Sequence, residues 1–370
     1  MRLRWPAISD GVPEGRVIIS GPSRRPETAE SLLGPSLASQ LDRLDVRSKR
    51  LFAGKLPGER RSKKRGQSVE FAEHRQYADG DDLRFIDWNV YARLDRLFVK
   101  LFMEEEDLAL HVVVDASASM DTPAEIELPT GAGSAASGSI GINKKLFAAR
   151  IASALGYIGL TKQNRVGLTV FGTPGRDRPS VLPDARGRSS AQRLVRFVID
   201  NAWPESTASS GPDAAMAPGE ANSLNSALNL VARSRVGKGV LVVLSDFFTP
   251  AAAGYEPGLR SIAAVAGAGG FDVYCLQVLS PGELQPELLA QNALDALSGD
   301  VRLTDSESGR SSEVTITAPL IREYKRRLAH YCEGLESFCE AREMHFARLV
   351  SDADPAMVIA QTLRRLGMVG

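Results

Sequence analysis

Asp115, Ser117 and Ser119 follow one another at two-residue spacing after an apolar, valine-rich run, Leu108 to Val114. Side chains two apart in an extended loop point the same way, so one tip can present a carboxylate and two hydroxyls together. A second acid, Asp246, follows another apolar run, Gly239 to Leu244. Such oxygens suit a hard cation: magnesium takes six oxygens at about 2.1 Å in an octahedron and keeps several waters. Few direct charges leave the ion electrophilic, and an open position then accepts a carboxylate from another molecule. The structural alternative is that Ser117 and Ser119 cap a turn while Asp115 binds backbone amides.

The two acids can act together only if their runs are neighbouring strands. The sequence alternates in the required way. Helical spacing marks Lys144–Lys162, with Phe147, Ile151, Leu155 and Ile158 on one face. Strands are expected at Arg165–Phe171, Gly239–Leu244, Phe271–Val278 and His345–Val350. Helices are expected at Ser189–Asn201, Ser223–Arg235, Gly258–Ala268, Pro319–Arg342 and Pro355–Leu366. Gly299–Thr304 and Glu313–Thr317 read as a hairpin, and Leu97–Met103 as a strand. Alternating strands and helices imply an α/β fold with a doubly wound, mostly parallel sheet. Ligands of such sheets sit beyond the carboxyl ends of the strands, where Asp115 and Asp246 fall. Residues 1–35 read as a mobile arm, 36–107 as an N-terminal extension and 108–370 as the main domain. Within the last, the small-residue stretches 121–143 and 206–221 read as flexible loops.

The chain has 370 residues, 43% of them hydrophobic, enough for a real core. Lysine plus arginine and aspartate plus glutamate each number 45, which argues against bulk attraction to nucleic acid or anionic membrane. A basic cluster between Arg47 and Arg65 breaks the balance. Its only aromatic is Phe52, so it reads as a solvated linker or a strip for an acidic partner rather than a base-stacking surface. Cys275, Cys332 and Cys339 are too few and too odd in number for a disulfide framework and are expected as thiols. No run of about 18 apolar residues and no signal-type segment is present, so a cytoplasmic protein is expected. Among four histidines there is no His-rich metal cluster. No Asp-x-Asp pair follows the first strand and no Walker lysine occurs. Binding is therefore expected rather than catalysis, with two alternatives: a magnesium-dependent hydrolase or phosphatase using Asp115, and a nucleic-acid binder using the basic segment 47–65.

The Asp115-x-Ser117-x-Ser119 loop, with Asp246 at a second strand end, resembles the metal-ion-dependent adhesion site of von Willebrand factor A domains. That resemblance implies a sheet of von Willebrand A type and a bound Mg2+ (or Mn2+ or Ca2+). Those domains carry a threonine in a second loop. The matching stretch, Gly219-Glu220-Ala221-Asn222-Ser223-Leu224, has Asn222 in its place. The Asn222 amide oxygen or the Ser223 hydroxyl would substitute, and both residues equally suit N-capping of the next helix. The implied metal set is Asp115, Ser117, Ser119, Asn222 and Asp246.

The segment upstream narrows the resemblance. Arg65-Gly66-Gln67-Ser68-Val69-Glu70-Phe71-Ala72-Glu73-His74-Arg75-Gln76-Tyr77, then Gly80-Asp81-Asp82-Leu83-Arg84-Phe85-Ile86-Asp87-Trp88, lead into the metal loop. This pattern is similar to the domain of unknown function 58 family, whose members often sit beside MoxR-type AAA+ ATPases. The resemblance implies an adaptor or chaperone-type subunit that joins such an ATPase to a protein client. Within the segment, Arg75, Arg84 and Arg93 with Asp81, Asp82 and Asp87 are expected to bridge the extension to the main domain. Trp88 is expected in the core or at the junction.

Overall fold

The structure is a computed structural model. It describes residues 25–48, 71–102, 108–121, 143–204, 220–234, 239–249, 254–269, 271–286, 300–304, 311–315 and 317–370. All but the ends of the expected loops at 121–143 and 206–221, most of the basic cluster and most of the expected arm lie outside the described residues. The chain divides into two compact units, Met1–Lys49 with Ala109–Gly370, and Arg50–Leu108.

The first described helix is α1 (Pro35–Leu41), which begins on a proline whose fixed φ suits a first helical turn. The smaller unit is built on a hairpin-like pair. Strand β1 (Phe71–Gln76) runs antiparallel to β2 (Phe98–Phe102), with His74 opposite Lys100. Between them lies α2 (Trp88–Leu94), capped by Asp87, whose carboxylate accepts from the amides of Asn89 and Val90. Strand β1 was not among the expected elements. Its sequence, Phe-Ala-Glu-His-Arg-Gln, lacks the apolar alternation that marks a half-buried strand.

The larger unit is a six-stranded sheet flanked by helices. Strands β3 (Ala109–Asp115), β4 (Arg165–Phe171), β5 (Ser180–Ala185), β6 (Gly239–Ser245), β7 (Phe271–Leu279) and β10 (His345–Val350) lie in the order β10-β7-β6-β3-β4-β5. All pair in parallel except β5, which joins β4 antiparallel at the edge. The mixed α/β class and mostly parallel sheet are as expected. Strand β5 is an addition: it contains Pro183, which lacks an amide donor and belongs on an edge. Strands β8 (Asp300–Thr304) and β9 (Ser311–Thr315) form the expected antiparallel pair.

The sheet is covered by α3 (Lys144–Thr161), α4 (Ala191–Ala202), α5 (Leu224–Ser234), α6 (Glu256–Gly269) and α8 (Ala318–Glu340), with the short α7 (Pro281–Leu284) after β7. One core packs Val113, Leu241, Val243, Val273 and Cys275 of the strands against Leu228 and Val231 of α5, Leu259 and Ile262 of α6, and Leu335 of α8. Alternation turns Leu110 of β3 to the opposite face. There, a Cβ built on Gly159 of α3 would lie 3.1 Å from Leu110 Cδ2, so the helix rests directly on the sheet. Nearly every residue of α3 is buried, as its small-residue flanks require. Upstream residues join this unit as well. Tyr157 of α3 donates to Asp42 at 2.7 Å, and Val46 bridges Val369. All three cysteines are unpaired and buried. A hydrogen bond with Cys339, then burial, hold the Cys275 thiol well above its ordinary pKa, which keeps it from acting as a thiolate. Among the described residues no helix is long and apolar enough to cross a membrane.

The chain moves from β3 outward to β4 and β5, then returns to the other side of β3 for β6, β7 and β10. Strand order therefore reverses at β3, and the crevice above β3 and β6 is the switch point where such sheets bind ligands. Close approach at the opposite end holds these two strands together. A Cβ on Gly239 would stand 2.0 Å from the carbonyl oxygen of Ala109, its register partner. Gly239→Ala is expected to destabilise the chain by about 1–3 kcal/mol through overpacking against backbone. Denaturant unfolding would show this as a lower midpoint with an unchanged slope.

Candidate functional site

Register sets Val114 opposite Leu244, so Asp115 and Ser245 are neighbours where β3 and β6 end. Their side chains join: the Ser245 hydroxyl donates to Asp115 Oδ2 at 2.5 Å. Asp115 Oδ1 accepts the Ser117 amide at 2.9 Å. This turns the loop into a short 3-10 stretch, Ala118–Asp121, and brings Ser117 Oγ to 3.0 Å from Ser119 Oγ. Beyond Ser245 the chain carries Asp246, then Phe247 in left-handed backbone, φ 60°. That conformation costs a non-glycine residue about 1–2 kcal/mol. It is held by the Phe247 amide donating to Ser245 Oγ and by the Tyr331 hydroxyl donating to the Phe247 carbonyl at 2.6 Å.

The loop after β4 fits beneath the serines. Gly172 has φ 75°, and a Cβ there would stand 2.9 Å from the Ser117 nitrogen and 3.0 Å from its Cβ. Only glycine meets both demands. Asn222 braces this loop. Its Oδ1 accepts the Gly172 amide at 3.1 Å, and its Nδ2 donates to the Arg176 carbonyl at 2.9 Å. The buried amide oxygen is thus already engaged with backbone. Ser223 accepts the Ser226 amide at 3.3 Å, a capping bond at the start of α5.

Two side chains absent from the sequence-based set complete the cluster. Lys144, the first residue of α3, is fully buried and donates to Asp246 Oδ2 at 3.1 Å and to Glu283 Oε1 at 2.6 Å. Glu283 is itself fixed: it closes a capping box with Ser280 at the start of α7. The Ser280-Pro281-Gly282-Glu283 string after a core strand signals that box. Lys144 carried no signal of its own, because a lysine opening a helix ordinarily faces water.

Burial, and then the charge of Asp246, push the Asp115 carboxyl up to about 6. Burial works against the Lys144 ammonium, yet the charges and hydrogen bonds of Glu283 and Asp246 outweigh it and hold its pKa above the ordinary lysine value. The cluster is closed. Asp246 and Asn222 are each 1% exposed, Ser119 7% and Ser117 8%, and Glu283 keeps a partly exposed side chain. Among the described residues no group of three His, Cys, Asp or Glu side chains is arranged to hold a metal. Any cation here would need the serine hydroxyls. The donors are all oxygen, which fits magnesium or calcium and disfavours softer metals.

The match to known proteins covers this whole arrangement. The model of a family described as "Protein of unknown function DUF58" matches residues 73–331, well over half of the chain. The chain belongs to the DUF58 family. The matched span of this DUF58 chain includes Asp115, Ser117, Ser119, Lys144, Asn222, Asp246 and Glu283. It is also similar to the uncharacterized protein Rv1480 of Mycobacterium tuberculosis and the uncharacterized protein Mb1516 of Mycobacterium bovis. Each is 27% identical over 296 residues, covering 80% of this chain and 78% of the relative.

The DUF58 match also takes in residues 73–108 of the smaller unit. Within this unit, four of the six charged residues expected to form bridges pair with one another. Arg75 pairs with Asp81 at 2.6 Å and Arg84 with Asp82 at 2.7 Å. Local spacing explains this: two to six residues separate the partners. Asp87 meets His74 Nε2 at 2.9 Å and Lys100 Nζ at 3.2 Å. Trp88, expected to be packed, is 62% exposed and meets Tyr91 edge to face.

Gly172→Ala is expected to cost about 1–3 kcal/mol through backbone strain. Asn222→Ala is expected to cost a similar amount, about 1–3 kcal/mol, by removing the side-chain hydrogen bonds to the Gly172 amide and the Arg176 carbonyl; chemical denaturation measures both. The hydrogen bond from His74, with help from Lys100 against desolvation, lowers the Asp87 carboxyl from its usual 3.8 to about 2. A depressed carboxylate stabilises the fold above its unfolded pKa and loses that contribution as pH falls through the folded one. Asp87→Asn is therefore expected to flatten the melting-temperature profile between about pH 4 and 2. A mutant profile parallel to wild type across that window would contradict this.

Proposed function

We propose that this DUF58 chain is a von Willebrand A-like adaptor whose serine loop and strand-end acids hold a divalent cation, Mg2+ foremost, and through it a protein partner. The supporting observation is the 3.0 Å between Ser117 Oγ and Ser119 Oγ. Adjacent ligands of an octahedral ion with bonds of about 2.1 Å stand about 3.0 Å apart, so both hydroxyls suit neighbouring positions without rearrangement. Asp115, tied to Ser245, and Asp246 supply charge from the next strand. Asn222 acts in this reading by bracing the loop under the serines, while its resemblance-based place among the ligands needs its oxygen to serve the ion as well as Gly172. The hydrolase alternative is less well supported. It needs Asp115 as a free nucleophile, and both of its oxygens accept hydrogen bonds.

The partner in this reading is a MoxR-type AAA+ ATPase, with a protein client presented by the same chain, in the cytoplasm. Ser117→Ala with Ser119→Ala removes the two hydroxyls with little change in packing. Equilibrium dialysis is expected to show divalent-ion binding by the wild type and a loss of at least tenfold in the double variant. Co-elution with a purified MoxR-type ATPase should then require Mg2+ and vanish with EDTA or in the double variant. Metal binding without any metal-dependent co-elution would sink the adaptor role.

A further inference from the structure

A cation already sits in the cluster. Lys144 begins α3, where the helix dipole disfavours positive charge, and it is wholly buried. Its ammonium spans two acids from different strand ends, Asp246 after β6 and Glu283 after β7. The remaining Asp246 oxygen, Oδ1, accepts the Phe248 amide at 2.9 Å. A divalent ion drawing on Asp246 would therefore meet the lysine at the same carboxylate, and two cations at such range repel strongly in a buried setting.

Resting on the metal reading above, we propose that Lys144 is a tethered competitor for the divalent ion. In the closed arrangement its ammonium neutralises Asp246. Metal entry displaces it from Asp246, and Glu283, fixed by its capping box, is the acid that keeps it paired. Lys144 thus sets the metal affinity of the site and links occupancy to the start of α3 and to the Ser280–Glu283 turn. It is a positioning residue and takes no place among the ligands.

Binding of Mn2+ alone to the full chain, followed by loss of the free-ion electron paramagnetic resonance signal, tests this. Lys144→Met is expected to bind Mn2+ at least tenfold more tightly than wild type. The double variant Lys144→Met with Glu283→Gln has the net charge of the wild type and is also expected to bind more tightly, which general charge attraction would not produce. It also leaves one acid without the lysine's counter-charge instead of two, so it serves if the single variant fails to fold. Adding Ser117→Ala to either is expected to abolish the gain. Wild-type affinity in the folded double variant would overturn the proposal and leave the metal reading standing. No Mn2+ binding by wild type or by either lysine variant would remove both.

Discussion

Asp115 and Asp246 bring like charges to the ends of adjacent strands, and their repulsion must be offset before the carboxyl edge of the sheet can close. The structure does this by hydrogen bonding and counter-charge in a buried site. Asp115 receives an amide and a hydroxyl; Asp246 receives an amide and the Lys144 ammonium. Buried charges persist only when so paired. The left-handed backbone at Phe247 serves the same end, since its amide holds Ser245, which in turn donates to Asp115. Gly172 answers a steric demand instead, the close approach of Ser117.

The elements that carry the acids were legible because their physics is local. Strands Arg165–Phe171 and His345–Val350 fall at their expected bounds, as short apolar runs between turn signals do. Long helices such as α3 and α8 were legible from their spacing. Strands β1 and β5 were not, since one lacks apolar alternation and the other is interrupted by Pro183. Edge and hairpin strands gain stability from pairing more than from burial, and pairing partners leave no mark on a single sequence.

Within the site, the serine spacing and both aspartates could be read directly, and Ser245 binding Asp115 confirms that the two strand ends meet. Lys144 and Glu283 could not be read as a pair, because 139 residues separate them. Their meeting depends on strand order, which alternation alone leaves open. Asn222 illustrates the converse. Its position suggested a ligand, while its geometry first serves the backbone of a neighbouring loop. Trp88 lies outside the core of its own unit, 62% exposed, where bulk and apolarity favour burial on average.

The outermost strand of the sheet shapes what the molecule can meet. β5 runs against the grain of its neighbours, slips register against β4 between Val166 and Leu168, and contains a residue without an amide hydrogen. Such a border is a poor template for another chain's strand. Lateral growth into fibres or strand-swapped pairs is discouraged on that flank, which favours encounters at the loops crowning the sheet.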